Sequence, residues 1–270
     1  MKIAKICTML VSVCLGAAML TGCSGIPSNA VFCCDDLPGK TIGVQKGTTG
    51  ADYALELENK PESGKPAAKV NTYGTGADAI NDLKSGKIDC VIIDNEPARV
   101  FVSENRDLQI LPDIFSDEQY AIAVKKGRTA LIDELNSAMR ELKDEGIIEK
   151  ISGNYIGDNK GSFQYTSPEG VKRDKGKLIM ATNAEFPPYE YKEGNEIVGI
   201  DIDIFRALCD KLGYEPEIID MDFDDILETV QTGGADIGMA GITVNEDRLK
   251  EVDFTDPYAH GVQVIITRKQ

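Results

Sequence analysis

Leu83-Lys84-Ser85-Gly86-Lys87-Ile88-Asp89-Cys90-Val91-Ile92 and Val230-Gln231-Thr232-Gly233-Gly234-Ala235-Asp236-Ile237-Gly238-Met239 follow one grammar. Each runs from the end of a helix through glycine and an aspartate into an apolar strand, and glycine supplies the left-handed conformation that ends a helix. Two such copies predict two lobes of similar build. Working outward from the first copy, residues 41–44, 68–72 and 90–93 are β-rich and apolar, and 77–85 places Ile80 and Leu83 on one helical face. Around the second copy, 177–182, 216–220 and 237–239 read as strands, and 201–212 and 223–232 as helices. This alternation predicts an α/β fold with mainly parallel sheets. In open sheets of that kind a ligand lies beyond the carboxyl ends of the strands, which directs attention to Asp94 in one lobe and Ala240-Gly241 in the other.

The chain has 270 residues, 42% of them hydrophobic, enough to bury an ordinary core rather than remain disordered. Its 45 acidic against 29 basic residues give a formal charge of -16. A field of that sign repels phosphate backbones, so nucleic acid is excluded as a natural partner. Lys2 and Lys5 precede an uncharged apolar run over 6–20, too short to span a bilayer, and Leu20-Thr21-Gly22-Cys23 follows. Residues 1–22 therefore read as an export signal, and 23–36 as an unstructured spacer. Of the cysteines outside the signal, Cys33, Cys34, Cys90 and Cys209 form no C-x-x-C pair, and His260 is the sole histidine. Neither a zinc site nor a disulfide framework is expected, and no cofactor is implied.

Linked motifs then carry a family resemblance. Residues 177–257 contain Ala181-Thr182-Asn183-Ala184-Glu185-Phe186-Pro187-Pro188-Tyr189, Val198-Gly199-Ile200-Asp201-Ile202-Asp203, Ala240-Gly241-Ile242-Thr243, Arg248 and Val252-Asp253-Phe254-Thr255-Asp256-Pro257-Tyr258. This segment resembles the front half of the polar amino-acid-binding proteins of ABC importers, solute-binding family 3. Residues 40–156, with Gly43-Val44-Gln45-Lys46-Gly47-Thr48-Thr49-Gly50, Val91-Ile92-Ile93-Asp94 and Glu145-Gly146-Ile147-Ile148-Glu149-Lys150-Ile151, resemble the back half. Leu20 to Cys23 resembles a lipoprotein box, in which Cys23 would carry lipid.

The resemblance implies a two-lobed class II periplasmic-binding-protein fold, circularly permuted because the halves stand in reverse order. The smaller lobe is expected to comprise 37–117 plus 261–270, and the larger 120–157 plus 176–256. Residues 158–175 would link the family's usual termini, and crossings near 117–120 and 257–260 would form a hinge. Permutation is tolerated where termini are close and the opened loop is exposed. The competing arrangement is a piece of two tandem copies, each half pairing with another molecule.

A free amino acid presents a carboxylate and an ammonium, so its site needs a forked cation at one end and an anion at the other. By the resemblance, Arg248 clamps the carboxylate, assisted by Thr243 and the Ala240-Gly241 backbone. The local alternative is a solvated Arg248 beside Glu246 and Asp247. Asp94 ends an apolar strand, where an unpaired carboxylate is expensive; a ligand ammonium is the implied partner, and capping of the next helix the local alternative. Neither Arg248 nor Asp94 is expected in the core. Gly47, Thr48 and Thr49 open a helix whose free N–H groups attract a carboxylate.

By the resemblance, Phe186 and Phe223 take positions that sandwich the ligand side chain, Asn183 lies where the family often has an Asp contacting the ammonium or side chain, and Gln45 takes a position that varies with ligand type. Being uncharged, Asn183 and Gln45 argue against a cationic ligand. The expected function is an extracytoplasmic, lipid-anchored, monomeric receptor that hands a free polar amino acid to an ABC permease and makes no bond. The membrane would be touched through the lipid alone. A sensor module, or a dehydratase or lytic enzyme on the same fold, are the alternatives. Against the enzyme, no Ser/His/Asp, Cys/His or metal constellation stands in the sequence.

Overall fold

The structure, a computed structural model, describes residues 30–269. The export-signal and Cys23 readings concern residues outside that range. In chain order the first part holds β1 (Thr41–Gln45), α1 (Thr49–Asn59), β2 (Lys69–Tyr73), α2 (Gly76–Lys84), β3 (Cys90–Asp94), α3 (Asn95–Glu104) and β4 (Leu108–Ile114). There follow β5 (Glu118–Tyr120), β6 (Ala123–Lys125), α4 (Thr129–Asp144) and α5 (Ile147–Tyr155). The last part holds β7 (Lys177–Thr182), β8 (Glu185–Phe186), β9 (Glu190–Glu193), β10 (Glu196–Val198), α6 (Ile200–Leu212) and β11 (Glu215–Asp220), then α7 (Ile226–Thr232), β12 (Ile237–Gly238), α8 (Arg248–Glu251), β13 (Val252–Phe254), β14 (Ala259–Gly261) and β15 (Gln263–Arg268).

Two five-stranded sheets organise these elements, in the orders β2-β1-β3-β15-β4 and β11-β7-β12-β6-β13. Each has three parallel strands, extended by antiparallel pairing to a strand from a distant part of the chain: β15 between β3 and β4, and β6 between β12 and β13. The parallel portion follows from the βαβ grammar. Gly86 and Gly233 end their helices with φ of 76° and 87°, the role their place in the repeated stretch requires.

Apolar faces decide the packing. Ile80 and Leu83 of α2 meet Ile88, Val91 and Ile266 on one face of the first sheet, while Ala51 and Ala54 of α1 meet Val44 and Ile92 on the other. Fully burying one such leucine or isoleucine contributes about 1.5–3 kcal/mol. In the second lobe Leu135 and Leu142 of α4, Ile151 of α5 and Phe205 and Leu208 of α6 share one core with Met180 of β7. The chain passes between the sheets twice, and there β5 and β14 pair antiparallel, Tyr120 opposite Ala259 and Glu118 opposite Gly261.

One expectation of slack chain is corrected, and one connection is better held than its composition suggests. Within 23–36, Val31 is buried in the first lobe's core, 34–36 form a 3-10 turn, and Cys34 N–H donates to Asp113 Oδ2 at 2.6 Å. The apolar Val31 side chain and an acceptor on β4 hold a segment that composition alone marks as a spacer. Within 158–175, Phe163 and Tyr165 pack on the second core, Tyr165 O–H donates to Asp210 Oδ2 at 3.0 Å, and Arg173 pairs with Asp210 at 2.5 Å. Asp210 is nearly fully buried, so this connection is strapped to α6 rather than free. Among the described residues no helix is long and apolar enough to cross a membrane.

Candidate functional site

One pocket lies where the carboxyl ends of the two parallel sets face each other. Its walls are Gln45, Thr48, Thr49 and Asp94 from the first lobe and Phe186, Phe223, Ala240, Gly241, Thr243 and Arg248 from the second. Ten of the twelve positions singled out from sequence thus converge. Gly47 and Asn183 stand just behind them, Gly47 through its carbonyl and Asn183 through its side chain.

In the first lobe, β1 delivers Gln45 and a tight turn places Thr48 as the N-cap of α1. Its Oγ1 accepts from Ala51 N–H at 3.2 Å and donates to the Gln45 carbonyl at 2.8 Å. Asp94 ends β3 at the start of α3 but makes no side-chain capping bond. Its carboxylate instead accepts from the Tyr120 hydroxyl on β5. The capping alternative therefore gives way to a bond to the crossing strand. Burial pushes the Asp94 carboxyl up to about 7, and the nearby Glu118 charge acts in the same direction, against the hydrogen bonds from Tyr120 and Gln263.

In the second lobe, β12 ends at Gly238 and the chain turns through Ala240 and Gly241. Gly241 has φ of 55°, and a Cβ there would lie 2.8 Å from the Phe186 ring. The turn thus needs glycine on both counts. Its N–H donates to Asp201 Oδ2 at 3.0 Å. Arg248 opens α8 and is buried: Nη1 donates to the Thr243 carbonyl at 2.8 Å, Nη2 crosses to the Gly47 carbonyl at 2.9 Å, and the guanidinium stands 5.6 Å from the Phe223 centroid. Asp247, one of its supposed surface partners, pairs with Lys250 instead. Arg248 and Asp94 are only 8% and 6% exposed, yet neither belongs to a lobe's hydrophobic core. Both side chains face the seam between lobes, which is closed in this conformation.

Among the described residues the direct contacts across that seam include Arg248 to Gly47, Gln45 Nε2 to Asn183 Oδ1 at 3.1 Å, and Lys46 to Asp224 at 2.5 Å. Asn183 Nδ2 is itself fixed on the Met221 carbonyl at 2.8 Å. Sequence reasoning missed Glu118, which sits at the centre. One oxygen, Oε2, accepts from Thr49 at 3.0 Å, Thr243 at 2.7 Å and Gln263 at 3.2 Å, while Oε1 accepts from Ser116 at 2.9 Å. It ties a residue of each lobe to the crossing strand. Tyr120 was missed as well. The available signal was a glutamate and a tyrosine at alternate positions of a short strand, which is too common to single out.

Geometry of this kind, two α/β lobes joined by two crossings with a charged, partly aromatic pocket between them, suits a small ligand held between the lobes. Residues 178–270 match the family model of the bacterial extracellular solute-binding proteins, family 3. It is 40% identical over 104 residues to the arginine-binding extracellular protein ArtP of Bacillus subtilis, covering 38% of this chain and 41% of that one. It is 35% identical over 118 residues to the glutamine-binding protein GlnH of the same organism, covering 44% of this chain and 41% of that one. Among solved structures, the arginine-bound domain 1 of TmArgBP is 34% identical over 35% of this chain and 82% of that one, with a TM-score of 0.31. The chain spans about two fifths of the length of these two curated relatives.

Proposed function

We propose that this chain is the extracytoplasmic receptor of an ABC importer, capturing a free polar amino acid between its lobes and passing it to a permease. The observation that carries the reading is a single pocket lined by Arg248 from one lobe and Asp94 from the other. The forked guanidinium matches the ligand carboxylate and Asp94 its ammonium. A ligand that bridges them favours the closed arrangement because it interacts best with both lobes at once. Thr243, Thr48, Thr49 and the backbone at Gly47, Ala240 and Gly241 supply further polar contacts, and Phe186 and Phe223 flank the ligand side chain. The uncharged Gln45–Asn183 pair at the wall favours a neutral polar side chain, although several relatives are named for arginine.

Connectivity belongs to the same proposal. A circular permutation of the family's order is supported by β15, the last strand, which inserts beside β3 and β4 from the first part of the chain. It is also supported by the 158–175 strap, which would join the family's usual ends. The lobes are then 37–117 plus 261–270, and 120–157 plus 176–256. Titration calorimetry of the purified protein against the twenty amino acids, with light scattering on the same samples, tests both parts. A neutral polar amino acid is expected to bind a monomer at one site and to be recovered chemically unchanged. Absence of binding by every amino acid refutes the receptor reading, an altered product favours an enzyme, and an obligate strand-exchanged dimer refutes the single-chain cleft.

Anchoring through Cys23 completes the proposal. Its support is the basic start, the short apolar run and the Leu20 to Cys23 box. The intact mass of membrane-extracted protein is expected to correspond to a chain starting at a lipid-modified Cys23; a mature chain starting elsewhere, or without added lipid, rules the anchor out.

A further inference from the structure

Beneath the Gly241 turn lie two carboxyl groups that the pocket itself does not use. Asp201, at the start of α6, and Glu190, on β9, are both fully buried. Asp201 Oδ2 accepts from Gly241 N–H at 3.0 Å and from the Tyr258 hydroxyl at 2.7 Å. Its other oxygen, Oδ1, receives no N–H or O–H from any described residue outside this pair, and neither does either oxygen of Glu190. The group within hydrogen-bonding reach of Glu190 is the Asp201 carboxyl.

Two carboxylates cannot hydrogen-bond each other, and two bare anions in contact at a dry site repel strongly. A single proton resolves both difficulties. It makes one group a donor and leaves the other an anion with three donors around it. Asp201 already holds the Gly241 amide and Tyr258 and so has the better claim to the charge. The groups acting most strongly on Glu190 are otherwise acids, namely Asp201 itself, Asp94 and Asp220, which favour its neutral form. Tyr189 and Tyr258 face the pair as well, and Lys192 is taken up by Asp220 at 2.7 Å.

We propose that Glu190 is a neutral carboxylic acid donating its proton to Asp201 Oδ1, and that this pair is the positioning device of the pocket. Through Asp201 it holds the Gly241 turn against Phe186. Through Tyr258 it reaches the second crossing between the lobes. Glu190 touches no ligand; it acts by fixing the direction of the Asp201 carboxylate. Only the statement that the Gly241 turn meets an amino acid rests on the receptor reading above.

The test needs no ligand. Carbon-13 spectra of the full chain, with Glu190 assigned by its loss in Glu190→Gln, are expected to show its carboxyl at the neutral-acid position from pH 5 to pH 8. Amide hydrogen exchange at Gly241 is expected to be as slow in Glu190→Gln, whose amide can still donate to Asp201, as in the wild type. In Glu190→Leu, which cannot donate, exchange at Gly241 is expected to be at least tenfold faster relative to amides of the first lobe. A Glu190 carboxyl that titrates between pH 4 and 5 overturns the shared proton. Equal Gly241 exchange in the leucine variant, or loss of protection in the glutamine variant, overturns the positioning role. If the leucine variant does not fold, the carboxyl spectrum and the glutamine variant still decide. Failure of amino-acid binding leaves all of these readouts in place.

Discussion

Arg248→Ala is expected to weaken amino-acid binding by about thirtyfold to several thousandfold, the consequence of losing about 2–5 kcal/mol when a buried ligand charge loses its partner. The pocket gives the ligand carboxylate no comparable substitute, because Arg248 is the sole cationic side chain on its wall among the described residues. The structure adds a second consequence. Arg248 also satisfies the carbonyls of Thr243 and Gly47, so the alanine variant leaves the buried Thr243 carbonyl short of a donor, costing about 1–3 kcal/mol, while Gly47 is exposed and can turn to water. A lower melting temperature is therefore expected beside the weaker binding, and affinities are to be measured well below the melt. Arg248→Lys separates the two effects. A lysine ammonium keeps the charge but cannot reproduce the fork, nor bond the two carbonyls in the same directions, so binding should fall here too. Calorimetry with the amino acid identified by the panel reads the result; wild-type affinity in both variants would remove Arg248 from the site.

Asp94 carries the second large effect, and there the sign depends on pH. Its carboxyl lies near 7 in the closed, ligand-free conformation because burial disfavours the charge. An ammonium needs the ionised form. With about a tenth of the molecules ionised at pH 6 and about nine tenths at pH 8, apparent affinity should rise roughly tenfold over that interval. Asp94→Asn should abolish this rise and bind at least thirtyfold more weakly at pH 8, since an amide offers the ammonium no charge.

Stability of the ligand-free protein should run the opposite way. A group whose folded value is raised contributes stability that is fully present below the unfolded value, near 4, and is lost as pH rises through 7. Melting temperature is therefore expected to fall from pH 5 to pH 8, less steeply in Asp94→Asn, with bound amino acid reducing the fall. A flat affinity profile in the wild type, or one that survives in Asp94→Asn, would show that Asp94 does not meet the ammonium.

How much of this was legible depends on the range over which each interaction acts. Helix ends at Gly86 and Gly233, the apolar strands and the amphipathic α2 and α6 are local patterns, so they could be read residue by residue. Asp94 was legible because it ends an apolar strand, where an α/β fold concentrates ligands, and Arg248 through the resemblance of the motif around it to a known family. Their burial was not legible. It arises because the lobes shut on one another, bringing the Arg248 guanidinium to the carbonyl of Gly47, 201 residues away in the chain. The spacer reading failed at 30–36 for a related reason. Small and polar composition describes a segment's own tendency, and the groove that takes Val31 is made elsewhere.

By itself, then, the amino-acid sequence determined the α/β class, the two lobes of similar build and the candidate charges, because hydrophobic period and glycine punctuation act over a few neighbouring residues. Only the tertiary structure decided which polar groups meet. Glu118 tying Thr49 to Thr243, Tyr120 holding Asp94, Gln45 meeting Asn183, and Glu190 lying against Asp201 are pairings across elements. A carboxylate on the surface and one sealed in the seam look alike in a sequence. They differ in the water removed and the donors supplied, and folding settles both.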